Sequence, residues 1–305
     1  MAKKVFGFFN KQKQFEQDIT EGGMQYSSFY GDALHRLTKN KMAMFCACLL
    51  LILILIAILA PLISPYDPNY QDYNAVLGEP CKAHLFGTDE YGRDILSRIL
   101  YGSRVSISIG IVAQIVASIV GIALGSLAGY YGGWLDTVIS RVMEIFQAFP
   151  DLIFAMAIMT FMGKGVLNLF IALGLLTWVR TARMIRASVM QLKEKEYIEA
   201  SRACGASTYW IIMKGLVPNC LSTIIVLVTL GIPNAIMYEA SLSFLGIGIQ
   251  PPTPSWGNMI SAAQTFISYR PVYSIMPGVA IMITVIAFNI FGDGLRDALD
   301  PKLRG

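Results

Sequence analysis

"EKEYIEASRACGASTYWIIMKGLVPN", residues 194–219, interrupts a chain otherwise dominated by Leu, Ile, Val, Ala and Met. The segment is charged and rich in small residues, with a glycine near its centre, a proline near its end and an apolar run on either side. Good helix formers and the lack of proline predict helix over 194–214, divided by Gly205 into two short pieces. In the first piece Tyr197, Ala200 and Cys204 recur at helical spacing, and the small residues let another surface come close. Glu199 stands one residue off that stripe. Past the glycine, Tyr209, Trp210, Ile211 and Ile212 are apolar enough to pack on the protein's own underside, and Pro218 suits the first turn of a following helix. A helix that is small on one face and anchored on the other fits a partner's groove. An ordinary amphipathic connector has the same composition.

The flanking runs set the context. The chain has 305 residues, of which 55% are hydrophobic and 14% charged, with a mean hydropathy of +0.55. A soluble protein of this length needs more charge to cover its surface, so the composition reads as a polytopic membrane protein. Crossing a hydrocarbon core of roughly 30 Å takes about 20 helical residues. Six charge-poor runs approach or exceed that length, at about 42–64, 105–130, 137–162, 165–180, 220–247 and 275–292. The first lies too far in and runs too long for a cleavable signal. The second is rich in Gly and Ser, which permit close helix packing. The expected fold is therefore all-α, with an N-terminal segment 1–41 ahead of a membrane domain, 42–305.

Lysine and arginine set the orientation. The first 41 residues hold Lys3, Lys4, Lys11, Lys13, Arg36, Lys39 and Lys41. The connection after the fourth run holds Arg180, Arg183, Arg186, Lys193, Lys195, Arg202 and Lys214, and the C-terminal tail adds Arg296, Lys302 and Arg304. On the other side Lys82, Arg93, Arg98 and Arg104 are offset by six acids, and the remaining loops carry Lys164 and Arg270 alone. Both termini and the 194–218 loop are thus expected in the cytoplasm of a multi-pass plasma-membrane protein. The external loop, about 65–104, is long enough to be structured. Ile95, Leu96, Ile99 and Leu100 form an apolar stripe that reads as an interfacial helix or as a helix packed on neighbouring spans.

Several chemistries are excluded. There is no phosphate-binding G-x-x-x-x-G-K-[ST] loop, no H-E-x-x-H and no G-x-S-x-G. His35 and His84 lie in loops on opposite sides of the membrane, cannot share a metal, and each reads as a surface residue. The five cysteines form no disulfide framework, and a net charge of +4 is too small to argue for nucleic acid. Uphill movement of a solute then takes its energy from a gradient or a partner. Charges within a span need a partner or water. Arg141 and Glu144, three residues apart, read as a clasp or a substrate contact. Asp151, past Pro150, either faces a pathway or caps the segment that resumes there. Glu239, past Pro233, either lines a pathway or makes an interhelical hydrogen bond.

"EASRACGASTYWIIMKGLVP" (199–218) resembles the EAA loop of permease subunits in ATP-binding-cassette importers. Glu199, Ala200, Gly205 and Pro218 fall in register; Ser201 replaces the third residue, and Gly215 and Val217 stand where the pattern has Ile and Leu. "HLFGTDEYGRDILSRILYGSRVS" (84–106), "EASLSFLGIGIQPPTPSWGNMI" (239–260) and "GDGLRDALDPKLRG" (292–305) resemble the C-type permease of the dipeptide, oligopeptide and nickel group. The likeness covers roughly 35–305. It implies a type I importer fold and transport without an activity of its own. It also implies a homologous B-type permease, two cytoplasmic ATPases that carry ATP and Mg, an extracytoplasmic substrate-binding protein and the surrounding lipid as partners. This chain would bind no cofactor or metal. Peptides are the first expected cargo; nickel, another small solute, or a gradient-driven transporter are the alternatives.

Overall fold

The computed structural model describes residues 29–300, and apart from one isolated bridge, Thr88–Asp94, every regular element among them is helical. The basic residues Lys3, Lys4, Lys11, Lys13, Lys302 and Arg304 lie outside the described residues. In chain order the helices are α1 (Phe29–Lys39), α2 (Lys41–Ile63), α3 (Ile95–Tyr131), α4 (Gly133–Gln147) and α5 (Asp151–Met162). They are followed by α6 (Val166–Leu192), α7 (Glu196–Ala203), α8 (Leu221–Phe244), α9 (Trp256–Ala263) and α10 (Pro271–Leu299). Helices α2, α3, α6 and α10 and the continuous stretch Thr208–Phe244 are long and apolar enough to cross a membrane. The pair α4/α5 makes a sixth if it is one broken span.

Three expectations about the spans change. The third run is not one rod: α4 and α5 meet at a bend of 92°. Proline explains it, because Pro150 has no N–H to donate and disfavours helical backbone at the residue before it, so it becomes the N-cap of a new helix instead. The fourth run extends twelve residues beyond its apolar stretch, so Arg180, Arg183 and Arg186 belong to α6 and not to a loop. The stripe at 95–100 is no separate interfacial helix. It is the first part of α3, where Ile95 packs with Met259, Ala263 and Tyr273.

Helices α3 and α6 form the most extensive helix pair. Gly121, Gly125 and Gly129 recur every four residues and so lie on one face. A β-carbon at Gly125 would stand 2.4 Å from the Ala182 carbonyl oxygen, and one at Gly129 2.7 Å from that of Arg186. Only glycine admits this backbone approach, which in lipid stands in for the hydrophobic drive that soluble helices use.

The external segment between α2 and α3 is folded around its charges. Asp89 is fully buried and accepts from Arg93 Nε at 2.6 Å and from the backbone N–H groups of Tyr91 and Arg93, while Arg98 Nε lies 3.5 Å away. Asp94 caps α3 through Ser97, and its other oxygen lies 3.0 Å from His84 Nδ1. His84 is therefore 6% exposed and not a surface residue, because Asp94 supplies the polar partner that burial requires. His35 is exposed but sits on α1 instead of in a loop. Arg270, just ahead of α10, donates to the Leu77 carbonyl at 2.7 Å and pairs with Glu79; Tyr273 donates to Glu90 Oε2 at 2.6 Å. The acids that offset the loop's positive charge are the ones that hold it together.

Glu239 is fully buried at the junction of α3, α8 and α9. Ser106 Oγ donates to Oε2 at 3.0 Å and Ser243 Oγ to Oε1 at 2.8 Å. Ser106 in turn accepts from the Trp256 N–H at 3.3 Å. Of the two readings of Glu239, the structure shows the interhelical hydrogen bond, made by Ser106 of α3; the bond from Ser243 lies within α8 itself.

Candidate functional site

Residues 194–219 fold as the glycine predicts. Helix α7 begins after Lys195 with Glu196 and Glu199 in its first turn, where carboxylates complement the helix dipole. It ends in a Schellman motif: Gly205 N–H donates to the Arg202 carbonyl and Ala206 N–H to the Ser201 carbonyl, each at 3.0 Å. That motif needs a left-handed residue, and Gly205 has φ +79°. Ser207 then caps the next turn, Thr208–Trp210, through the Trp210 N–H. The chain passes through a π-helix, Ile211–Leu216, and a 3₁₀ turn led by Pro218 before α8.

The two faces differ sharply. Ile198, Ile211 and Leu216 are buried with Ile185 and Val189 of α6, which anchors the loop to the membrane helices. Arg202 adds a cation–π contact, 5.8 Å from the Tyr130 ring centroid. The expected underside contact is thus split: Ile211 and Ile212 pack inward, whereas Tyr209 and Trp210 face out. Glu199, Ala200, Cys204, Gly205 and Pro218 are exposed and Ser201 half-buried. Ala200, Ser201, Cys204, Gly205, Ala206 and Trp210 line a shallow hollow of about 530 Å³. A β-carbon at Gly205 would meet nothing within 4 Å among the described residues, so none of them fills the space in front of it.

A second feature lies between α3, α6, α8 and the α4/α5 bend. It is a cavity of about 400 Å³ whose polar lining includes Gln147, Asp151, Arg180, Arg183, Asn234 and Tyr238. Tyr238 Oη donates to Asp151 Oδ2 at 2.5 Å, and Arg183 donates to Gln147. Asp151 therefore lines a cavity and stands in the first turn of α5, but it does not cap that helix: Pro150 holds the N-cap position and no side chain bonds there. Arg141 and Glu144 do form a pair, at 2.6 Å, but on an exposed face of α4 away from this lining. Sequence reasoning missed the bidentate pair of Arg186 with Asp136, which ties α6 to α4. It also missed Arg180 as a cavity residue. The continuing helical phase of Trp178, Ala182, Ile185 and Val189, all buried, was the available signal.

The family model for the binding-protein-dependent transport system inner membrane component matches residues 121–305. The chain belongs to that family. A second model, the N-terminal TM domain of oligopeptide transport permease C, matches residues 28–80. Among curated relatives of this permease, the glutathione transport system permease protein GsiD of Pectobacterium atrosepticum is 42% identical over 270 residues, covering 88% of this chain and 90% of the relative. The dipeptide transport system permease protein DppC of Bacillus subtilis is 40% identical over 297 residues, covering 97% and 92%. A solved structure of inward-facing conformations of the MetNI methionine ABC transporter aligns with a TM-score of 0.53 at 21% identity, over 68% of this chain and 98% of that one. That likeness shows the fold, that of an importer permease. The permease is a multi-pass membrane protein of the oligopeptide permease C type.

Proposed function

We propose that this permease forms half of the translocation pathway of an ATP-driven peptide importer and works by alternating access. A homologous B-type permease completes the pathway as a heterodimer. Each permease engages one cytoplasmic ATPase, which holds the ATP and Mg, and an extracytoplasmic binding protein delivers the cargo. This chain binds no cofactor, and both its termini face the cytoplasm. Peptide is the cargo that the relatives' names support, since they are glutathione and dipeptide permeases.

The observation that carries the reading is the exposure of Glu199 and Ala200 on α7, and of Gly205 just past its end, while Ile198 of the same helix is locked into the membrane domain. A rigid lever needs both: a surface free for the ATPase and an anchor that passes its movement to α6 and α8. Co-purification tests the partners: tagged permease should bring down a second permease and nucleotide-binding chains. Uptake into vesicles that contain all partners tests the coupling. Glu199→Lys should leave the complex inserted and abolish ATP-driven peptide uptake. Full uptake by that variant, or ATP-independent uptake by this chain alone, would sink the proposal.

A further inference from the structure

Arg180 lies about 21 Å along α6 from Val166, short of the roughly 30 Å that a hydrocarbon core measures. Intramembrane charges persist where they are paired or face a water-filled space. Its neighbours along the helix are engaged: Arg183 donates to Gln147 and Arg186 holds Asp136. Arg180 is exposed to the cavity and, among the described residues, has no ion pair or hydrogen bond. Asp151 lines the same cavity. Tyr238 occupies its Oδ2, and Oδ1 accepts no hydrogen bond among the described residues.

The cavity thus offers a guanidinium with no hydrogen bond or ion pair among the described residues and a half-used carboxylate, and Gln147 and Asn234 line it as well. Its volume, about 400 Å³, lies in the range of small-molecule sites. A ligand with separated anionic and cationic ends satisfies both groups. A bare divalent cation does not, because Arg180 and Arg183 repel it. A guanidinium presents two parallel N–H groups to a carboxylate, the geometry a peptide's C-terminus takes. We propose that Arg180 determines specificity within the pathway by receiving the α-carboxylate of a small peptide, with Asp151 facing its ammonium end. This inference rests on the peptide-import reading above.

The test uses the complete importer in vesicles, with trialanine and its C-terminal amide as radiolabelled probes and the binding protein in excess. Since the binding protein is the same in every assay, a change in preference between variants belongs to the permease. Arg180→Gln should lower kcat/KM for the free acid by about tenfold, the scale of one charge-assisted bidentate contact, and leave the amide nearly unchanged. Arg180→Lys, which keeps the charge but loses the paired N–H geometry, should retain only part of the preference. Equal slowing of both probes in Arg180→Gln would mark a structural role, and an unaltered preference would remove any role in recognition; either overturns the inference while peptide import stands. No ATP-driven uptake of any peptide by the wild-type complex would overturn the import reading itself, and this inference with it.

Discussion

Ile198 fills the space that a side chain at Gly215 would need: a β-carbon there would lie 2.9 Å from Ile198 Cδ1. Gly215 stands where the EAA pattern has isoleucine, and the relation shows what replaces the missing side chain. The anchor has moved from 215 to Ile198 on the facing helix, with Ile211 and Leu216 around it. Gly215→Ile should therefore destabilise the loop by about 1–3 kcal/mol, the usual cost of overpacking. The pair Gly215→Ile with Ile198→Ala should recover most of it. Melting temperatures of the purified complex check both, and a tolerated single variant would show that the loop is looser than its packing.

Gly205 poses the opposite case. Its surroundings are empty but its backbone is left-handed. Gly205→Ala should cost about 1–2 kcal/mol for the conformation alone. Gly205→Trp should cost little more in stability, since none of the described residues lies within 4 Å of a β-carbon there, yet block ATPase docking outright. Comparing melting temperature with ATPase co-purification separates the two effects.

These two glycines also mark how much was legible in the sequence. Gly205 could be read, because a helix stop with a left-handed residue is a local event that composition announces. Gly215 could not, because its reason is a side chain seventeen positions earlier. The same division holds for the charges. Runs of apolar residues located the spans, but a hydropathy run stops at the first arginine, whereas the α6 helix continues through three of them. What decides the extent of α6 is its buried face, Trp178 through Val189, packed on the glycines of α3. Glu239 and His84 likewise look alike to a sequence reader as lone polar residues. Their partners, Ser106 and Asp94, are joined to them only by the fold.

The external loop depends on its tie to α10. Arg270 holds the Leu77 carbonyl and Glu79, and the Glu79 side chain is largely exposed, so the ion pair itself adds little. The bond to the backbone matters more, as does that from Tyr273 to Glu90. Arg270→Ala should raise the rate of limited proteolysis within residues 65–94 severalfold, and Tyr273→Phe less so. Unchanged cleavage in both would show that the buried Asp89–Arg93–Arg98 cluster holds the loop alone.

Glu239 should behave as a structural hub and not as a pathway residue. Glu239→Ala removes the acceptor from Ser106 and Ser243 and leaves a void among α3, α8 and α9, which should cost about 2–5 kcal/mol. Glu239→Gln keeps the volume and one acceptor oxygen and should cost about 1–2 kcal/mol, since one serine then faces an amide nitrogen and must turn its hydrogen elsewhere. Neither change should alter the preference between a free peptide and its amide, because the carboxylate does not reach the cavity that Arg180 lines. The decisive measurement is that preference, taken on whatever fraction of each variant assembles. A stable Glu239→Ala complex with altered preference would return this residue to the pathway.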